Sequence, residues 1–149
     1  MRYRLKLVTW TVVREKHQAS PRVLNSPEVA ALLAIDLVDA HDDDKEHFWM
    51  ILLNAQNHYL MHTEVSVDTQ SASLVHPREV LGPAIREGAS AIVLVHNHPS
   101  GDPTPSREDL RLTRQLQQAA QFLDVRLHDH IIIGNGTRTW ISLAQRGDI

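Results

Sequence analysis

The stretch VHNHPSGDPTPSRED, residues 95–109, sets two histidines one residue apart, then ten residues, then an aspartate. On an extended segment, residues two apart point to the same side. His96 and His98 can therefore converge on one ion, while Asn97 points away. Pro99 disfavours helix at His98, and the SGDPTP loop gives the chain room to return. Asp109 then falls in the first turn of a following helix. Two imidazoles and one carboxylate make three protein ligands with a fourth position left for water, the pattern of catalytic rather than structural zinc. Zinc held this way lowers the pKa of its water to about 7.

Each of these residues also has a purely structural reading. A bare HxH pair is weak evidence for a metal. Ser106-x-x-Asp109 reads equally as a capping box, in which serine caps the helix and the acid reaches back; such a cap is worth about 1 kcal/mol. Ser106 is compatible with both readings, whereas Asp109 is not expected to serve both fully. His128-Asp129-His130 is a second HxH, set inside a strand without a nearby downstream acid. Its expected role is structural, its one link to chemistry being support of the first site by His130 from a neighbouring strand. Other metal-hydrolase patterns fail. There is no HExxH, a cysteine-free chain cannot supply the PCxxC of zinc deaminases, and a barrel needs about 200 residues or more.

The elements that must position these residues are readable in outline. Residues 3–13 alternate as a strand whose Arg2, Arg4 and Lys6 share an outward face, read as charges protecting a sheet edge. Ser26-Pro27-Glu28 starts a helix running to about Ala40. The acidic bridge HDDDKE leads into the apolar strand FWMILLN, and a turn near Gln56-Asn57 joins it to a strand over residues 59–67. Pro77 opens a second helix ending near Gly88, with a kink or a break expected at Gly82-Pro83, since interior proline costs about 3 kcal/mol. SAIVLV is the strand that delivers His96, and Ser106 begins a third helix reaching about Leu123. Strands VRLHDHIII and TRTWIS follow, and the short helical turn SLAQRG closes the chain. The sum is one α/β domain over residues 1–149 with a mixed, mostly antiparallel sheet. Residues 1–45 supply a strand and a helix, and residues 46–149 the core that bears the motifs.

Composition narrows the classes further. The chain has 149 residues, 42% apolar and 22% charged, as expected of a soluble globular domain. No apolar run approaches the roughly 18 residues that cross a bilayer, and the N-terminal stretch lacks a small-residue cleavage site. The absence of cysteine rules out disulfides and thiolate metal sites and suits a reducing cytoplasm. A net charge of −3 gives no general attraction for nucleic acid.

His96-x-His98-Pro99, followed by Ser106 and Asp109, resembles the JAMM (MPN+) metalloprotease motif. The fuller string HNHPSGDPTPS, with HPREV at 76–80 and DHIIIG at 129–134, resembles the bacterial RadC family specifically, over about residues 26–149. The resemblance implies a JAB/MPN fold, related to the cytidine-deaminase architecture, with zinc held by His96, His98 and Asp109. It implies Glu46, just before the first core strand, as general acid and base, with Glu64 and Glu79 as rivals. It gives Ser106 the task of steadying the oxyanion of a tetrahedral intermediate. His76 belongs to the same resemblance, either lining the cleft or simply starting a helix.

The expected activity is zinc-dependent hydrolysis of a peptide or isopeptide bond in a protein substrate, in the bacterial cytoplasm. A second hypothesis is a DNA-repair-associated module. Longer RadC members carry a region resembling a helix–hairpin–helix, whose hairpin needs glycines, and this chain has none before Gly82. Arg107, Arg111 and Arg114 share one helix face and remain the candidate nucleic-acid contact, read first as a solvated face. Binding to nucleic acid is therefore expected to be weak. A third option is a JAB-fold scaffold without turnover, although such scaffolds commonly lose the ligands that this chain retains.

Overall fold

The computed structural model describes residues 23–41, 44–67 and 75–149. The strand expected over residues 3–13, with Arg2, Arg4 and Lys6, lies outside them. α1 (Pro27–Asp39) starts as the sequence dictates: the Ser26 hydroxyl accepts from Val29 N at 3.3 Å, Pro27 fills the first turn and Glu28 follows. Proline there costs nothing because its N–H would be unpaired in any case.

Strands β1 (His47–Leu53), β2 (Tyr59–Val67), β3 (Ala91–His98), β4 (Arg126–Gly134) and β5 (Trp140–Ser142) form one sheet in the order β2-β1-β3-β4-β5. Only β3 and β4 run parallel; the other pairings are antiparallel. That pair needs a crossover, and α3 (Arg107–Phe122) supplies it. The sheet is flanked by helices on both faces, the α/β architecture that the resemblance implies.

β1 and β3 are central strands buried on both faces, which is why FWMILL and AIVLV are continuous apolar runs. Their alternate residues feed two cores. Trp49, Ile51, Leu53, Val93 and Val95 pack with α1, while Phe48, Met50, Leu52, Ile92 and Leu94 pack under α3 and α2 (Pro77–Arg86). The second set shares its parity with His96 and His98, so the two imidazoles emerge on the α3 side where the crossover returns.

One of the two alternatives for α2 falls away, and the second HxH takes the structural place expected of it. α2 runs through Gly82-Pro83 without the expected break. Pro83 cannot donate to the Glu79 carbonyl, but Glu79 is exposed, so water can satisfy that oxygen. The second HxH does not behave as a pair. Ile92 faces Leu127 and Val93 faces Asp129, which leaves His128 as an inserted residue in β4. Such a bulge breaks the alternation. His128 Nε2 accordingly lies 2.8 Å from Asn57 Oδ1, while His130 turns toward α3.

Candidate metal centre

His96 and His98 lie at the C-terminal end of the central strand β3, and their Nε2 atoms are 2.9 Å apart. The following loop is held back on the sheet: the His98 carbonyl accepts from Gly101 N at 3.0 Å and Asn135 N at 3.1 Å. Gly134 is required at this crossing, because a Cβ there would overlap the Gly101 carbonyl. The loop delivers Ser106 as N-cap of α3, with both halves of the capping box made. Ser106 Oγ accepts from Asp109 N at 3.0 Å, and Asp109 Oδ2 accepts from Ser106 N at 2.8 Å.

Asp109 also faces the histidines. Its Oδ1 is 3.4 Å from His96 Nε2 and its Oδ2 is 3.3 Å from His98 Nε2. The expectation that it would not serve cap and site fully is met by a carboxylate that makes the cap and faces both imidazoles at once. A carboxylate offers about four lone-pair sites, and the cap uses one of them.

The proton positions follow from the fixed ends of the network. The Thr113 hydroxyl donates to the Asp109 carbonyl at 2.7 Å, so its oxygen accepts from His130 Nδ1 at 2.6 Å. With that proton on Nδ1, His130 Nε2 is an acceptor, and His96 Nδ1 donates to it at 2.7 Å. His96 Nε2 is then a bare lone pair. His98 Nδ1 donates to the Asp102 carbonyl at 2.8 Å, which leaves its Nε2 bare as well. Two lone pairs and a buried carboxylate meet within 2.9 to 3.4 Å. Such an arrangement is relieved by a shared proton or by a cation. The donor set suits zinc, which sits about 2.0–2.2 Å from such nitrogens and oxygens.

The electrostatics agree with this crowding. Burial works against an ionised Asp109, yet the close His96 and His98 rings, which donate to it when protonated, hold its carboxyl well below the usual carboxylate range. The hydrogen bond that a protonated His98 would give Asp109 raises the His98 pKa against the effect of its own burial. Complete burial, helped by the nearby His96, depresses His130 well below the ordinary histidine value, keeping its ring neutral.

Glu46 precedes β1 and offers a carboxylate oxygen within 4.8 Å of ligand-type nitrogens of both His96 and His98. It lines a narrow cleft with Phe48, Val75, His96 and Asp109. Burial pushes its pKa up; His96 and His98 pull it down and the Asp109 charge adds to the rise. The rivals lie elsewhere. Glu64 Oε2 is bound to His47 Nδ1 at 2.8 Å, and Glu79 is exposed on α2. His76 is the N-cap of α2 and exposed; its neighbour Val75 lines the cleft in its place.

Asn97 is the residue that the spacing alone did not reveal. It points away from the histidines, as the alternation requires, but it is fully buried and bonds to the backbone on either side of Glu46. Its oxygen accepts from His47 N at 2.7 Å, and its nitrogen donates to the Lys45 carbonyl at 2.8 Å and to Asn135 Oδ1 at 2.9 Å. The only sequence signal was a polar residue between two ligands on a buried strand.

The sequence profile of the RadC-like JAB domain matches residues 23–148. The chain belongs to this family. Relatives of this RadC-like JAB domain include a UPF0758 protein of Geotalea uraniireducens, 49% identical over 71% of this chain and 46% of the relative. A UPF0758 protein of Geobacter sulfurreducens is 51% identical over 66% of this chain and 43% of its own length. One from Desulfitobacterium hafniense is 46% identical over 84% of this chain and 53% of its own. The chain thus spans about half the length of the curated relatives it matches. Among the described residues of this RadC-like domain, Arg107, Arg111 and Arg114 are exposed along α3, and no helix is long and apolar enough to cross a membrane.

Proposed function

We propose that this RadC-like JAB domain is a zinc-dependent hydrolase of peptide or isopeptide bonds, with a protein as substrate. The observation that supports it best is the convergence of the His96 and His98 Nε2 atoms and the Asp109 carboxylate beside a half-buried Glu46 whose pKa burial raises. His96, His98 and Asp109 would hold the ion. Zinc bound there supplies Lewis acidity and lowers the pKa of water to about 7.

The residues around it divide the remaining work. Glu46 takes a proton from the attacking water on a carboxylate oxygen and returns it to the leaving nitrogen as the C–N bond breaks. The substrate amide and one water become a carboxylate and an amine, with no further reactant. A carboxyl whose pKa burial has raised suits both halves of that transfer. The Ser106 oxygen is occupied as the acceptor of the helix cap, so its hydrogen remains available to the developing oxyanion. Phe48 stacks on the His96 ring at 5.9 Å and 14° and fixes its orientation in the cleft.

The test is Glu46→Gln, assayed against a panel of peptide and isopeptide-linked substrates with zinc content measured in parallel. The variant should keep zinc and lose about 10²- to 10⁴-fold in turnover. Undiminished turnover on a substrate that the wild type cleaves would contradict the assignment.

A further inference from the structure

Glu46 and His47 are neighbours in sequence but face opposite sides of the sheet. Behind the first centre, on the side turned toward α1, lies a second convergence of ligand-type atoms. His41 follows the C-cap of α1, His47 opens β1, and Glu64 stands on β2 opposite Trp49. His47 Nδ1 is 2.8 Å and His41 Nε2 is 3.4 Å from the same Glu64 oxygen, and all three atoms lie within 4.8 Å of one another.

The rings are held in place. His41 Nδ1 donates to the Leu37 carbonyl at 2.9 Å, which turns its Nε2 toward Glu64. A backbone carbonyl that orients the far side of a ligating imidazole is the usual companion of a metal-bound histidine. His47 stacks flat on Trp49, at 5.0 Å and 7°, and His41 packs against both rings at 4.6 and 5.2 Å. His47 is buried, whereas His41 and Glu64 are exposed, so the group is anchored at one corner and open to solvent at the other.

We propose that His41, His47 and Glu64 form a second divalent-cation site, of the imidazole-and-carboxylate class that zinc, nickel and copper occupy. It is independent of the His96–His98–Asp109 centre and shares no ligand with it. An ion there clips the end of α1 to the β1–β2 hairpin, directly behind the residue that carries Glu46. A neutral His41 otherwise presents a lone pair to a carboxylate oxygen at 3.4 Å, which a bound proton would relieve as well as a cation would.

Zinc titration of the metal-stripped full chain separates these cases, with bound zinc counted after equilibrium dialysis and folding followed by circular dichroism. The wild type should take up two equivalents. His41→Ala and Glu64→Gln should each lose one and keep the other, His98→Ala should also lose one, and His41→Ala with His98→Ala should bind none. Glu64→Gln nearly preserves shape, so it reads the site even if His41→Ala perturbs α1. Wild-type stoichiometry in both His41→Ala and Glu64→Gln would overturn the second site. So would a wild type that binds a single equivalent and loses it in His98→Ala; loss in the His41 and Glu64 variants with none in His98→Ala would leave this site standing and sink the first.

Discussion

His130 Nε2 lies 2.7 Å from His96 Nδ1, reaching across from β4 to a ring carried by β3. This contact decides which nitrogen of His96 is bare, and Thr113 in turn decides the same for His130. A residue that donates to none of the reacting groups thus orients one of the proposed ligands. Outer partners of this kind typically contribute about 10- to 100-fold to metal affinity.

Thr113→Val tests that chain. The isosteric change removes the acceptor for His130 Nδ1 and frees His130 to flip its tautomer. Zinc should still bind with unchanged stoichiometry at the first centre, at an affinity about 10-fold or more lower. Competition against a chromophoric chelator measures it, and unchanged affinity would show that the chain is only structural.

Asn97→Ala probes the positioning of Glu46. The substitution removes the acceptor for His47 N and the donor to the Lys45 carbonyl. Buried polar groups that lose a partner cost about 1–3 kcal/mol, so the denaturation midpoint should fall. Zinc should remain bound while turnover drops, because the Glu46 segment loses its tie to β3. Asn97→Asp retains the acceptor and should recover part of the loss.

Glu46→Gln should also change how metal-free stability depends on pH. Burial raises the folded pKa of Glu46 above the ordinary glutamate value of 4.5. Between those two values the native state binds more protons than the unfolded one, so stability falls as pH rises through the folded pKa. The amide has no such transition. Metal-free Glu46→Gln should therefore gain on the wild type in melting temperature as pH climbs above 4.5; a constant difference from acid to neutral pH would contradict this.

Much of this was readable from residues near one another in sequence. The helix starts at Ser26 and Ser106 follow from local capping chemistry, and the convergence of His96 with His98 follows from strand alternation. Asp109 was legible as a residue but not in its double duty, since a sequence does not show which carboxylate oxygen faces which neighbour. The roles of His130, Thr113 and Asn97 depend on contacts 17 to 52 positions apart, made only when the sheet and α3 assemble. The bulge at His128 breaks an apparent HxH pair and carries no local mark. Of the three glutamates weighed as base, Glu46 is the one that lies half-buried beside His96 and His98, and that proximity is a property of the fold.

Long-range ¹H–¹⁵N spectra of the histidine rings, recorded as zinc is added to the metal-free protein, test the central claim most directly. His96, His98 and His130 should each carry their proton on Nδ1, and the bare Nε2 signals of His96 and His98 should move on zinc binding. His128 should not respond. Unmoved Nε2 signals of His96 and His98, with zinc binding reported elsewhere, would contradict the account.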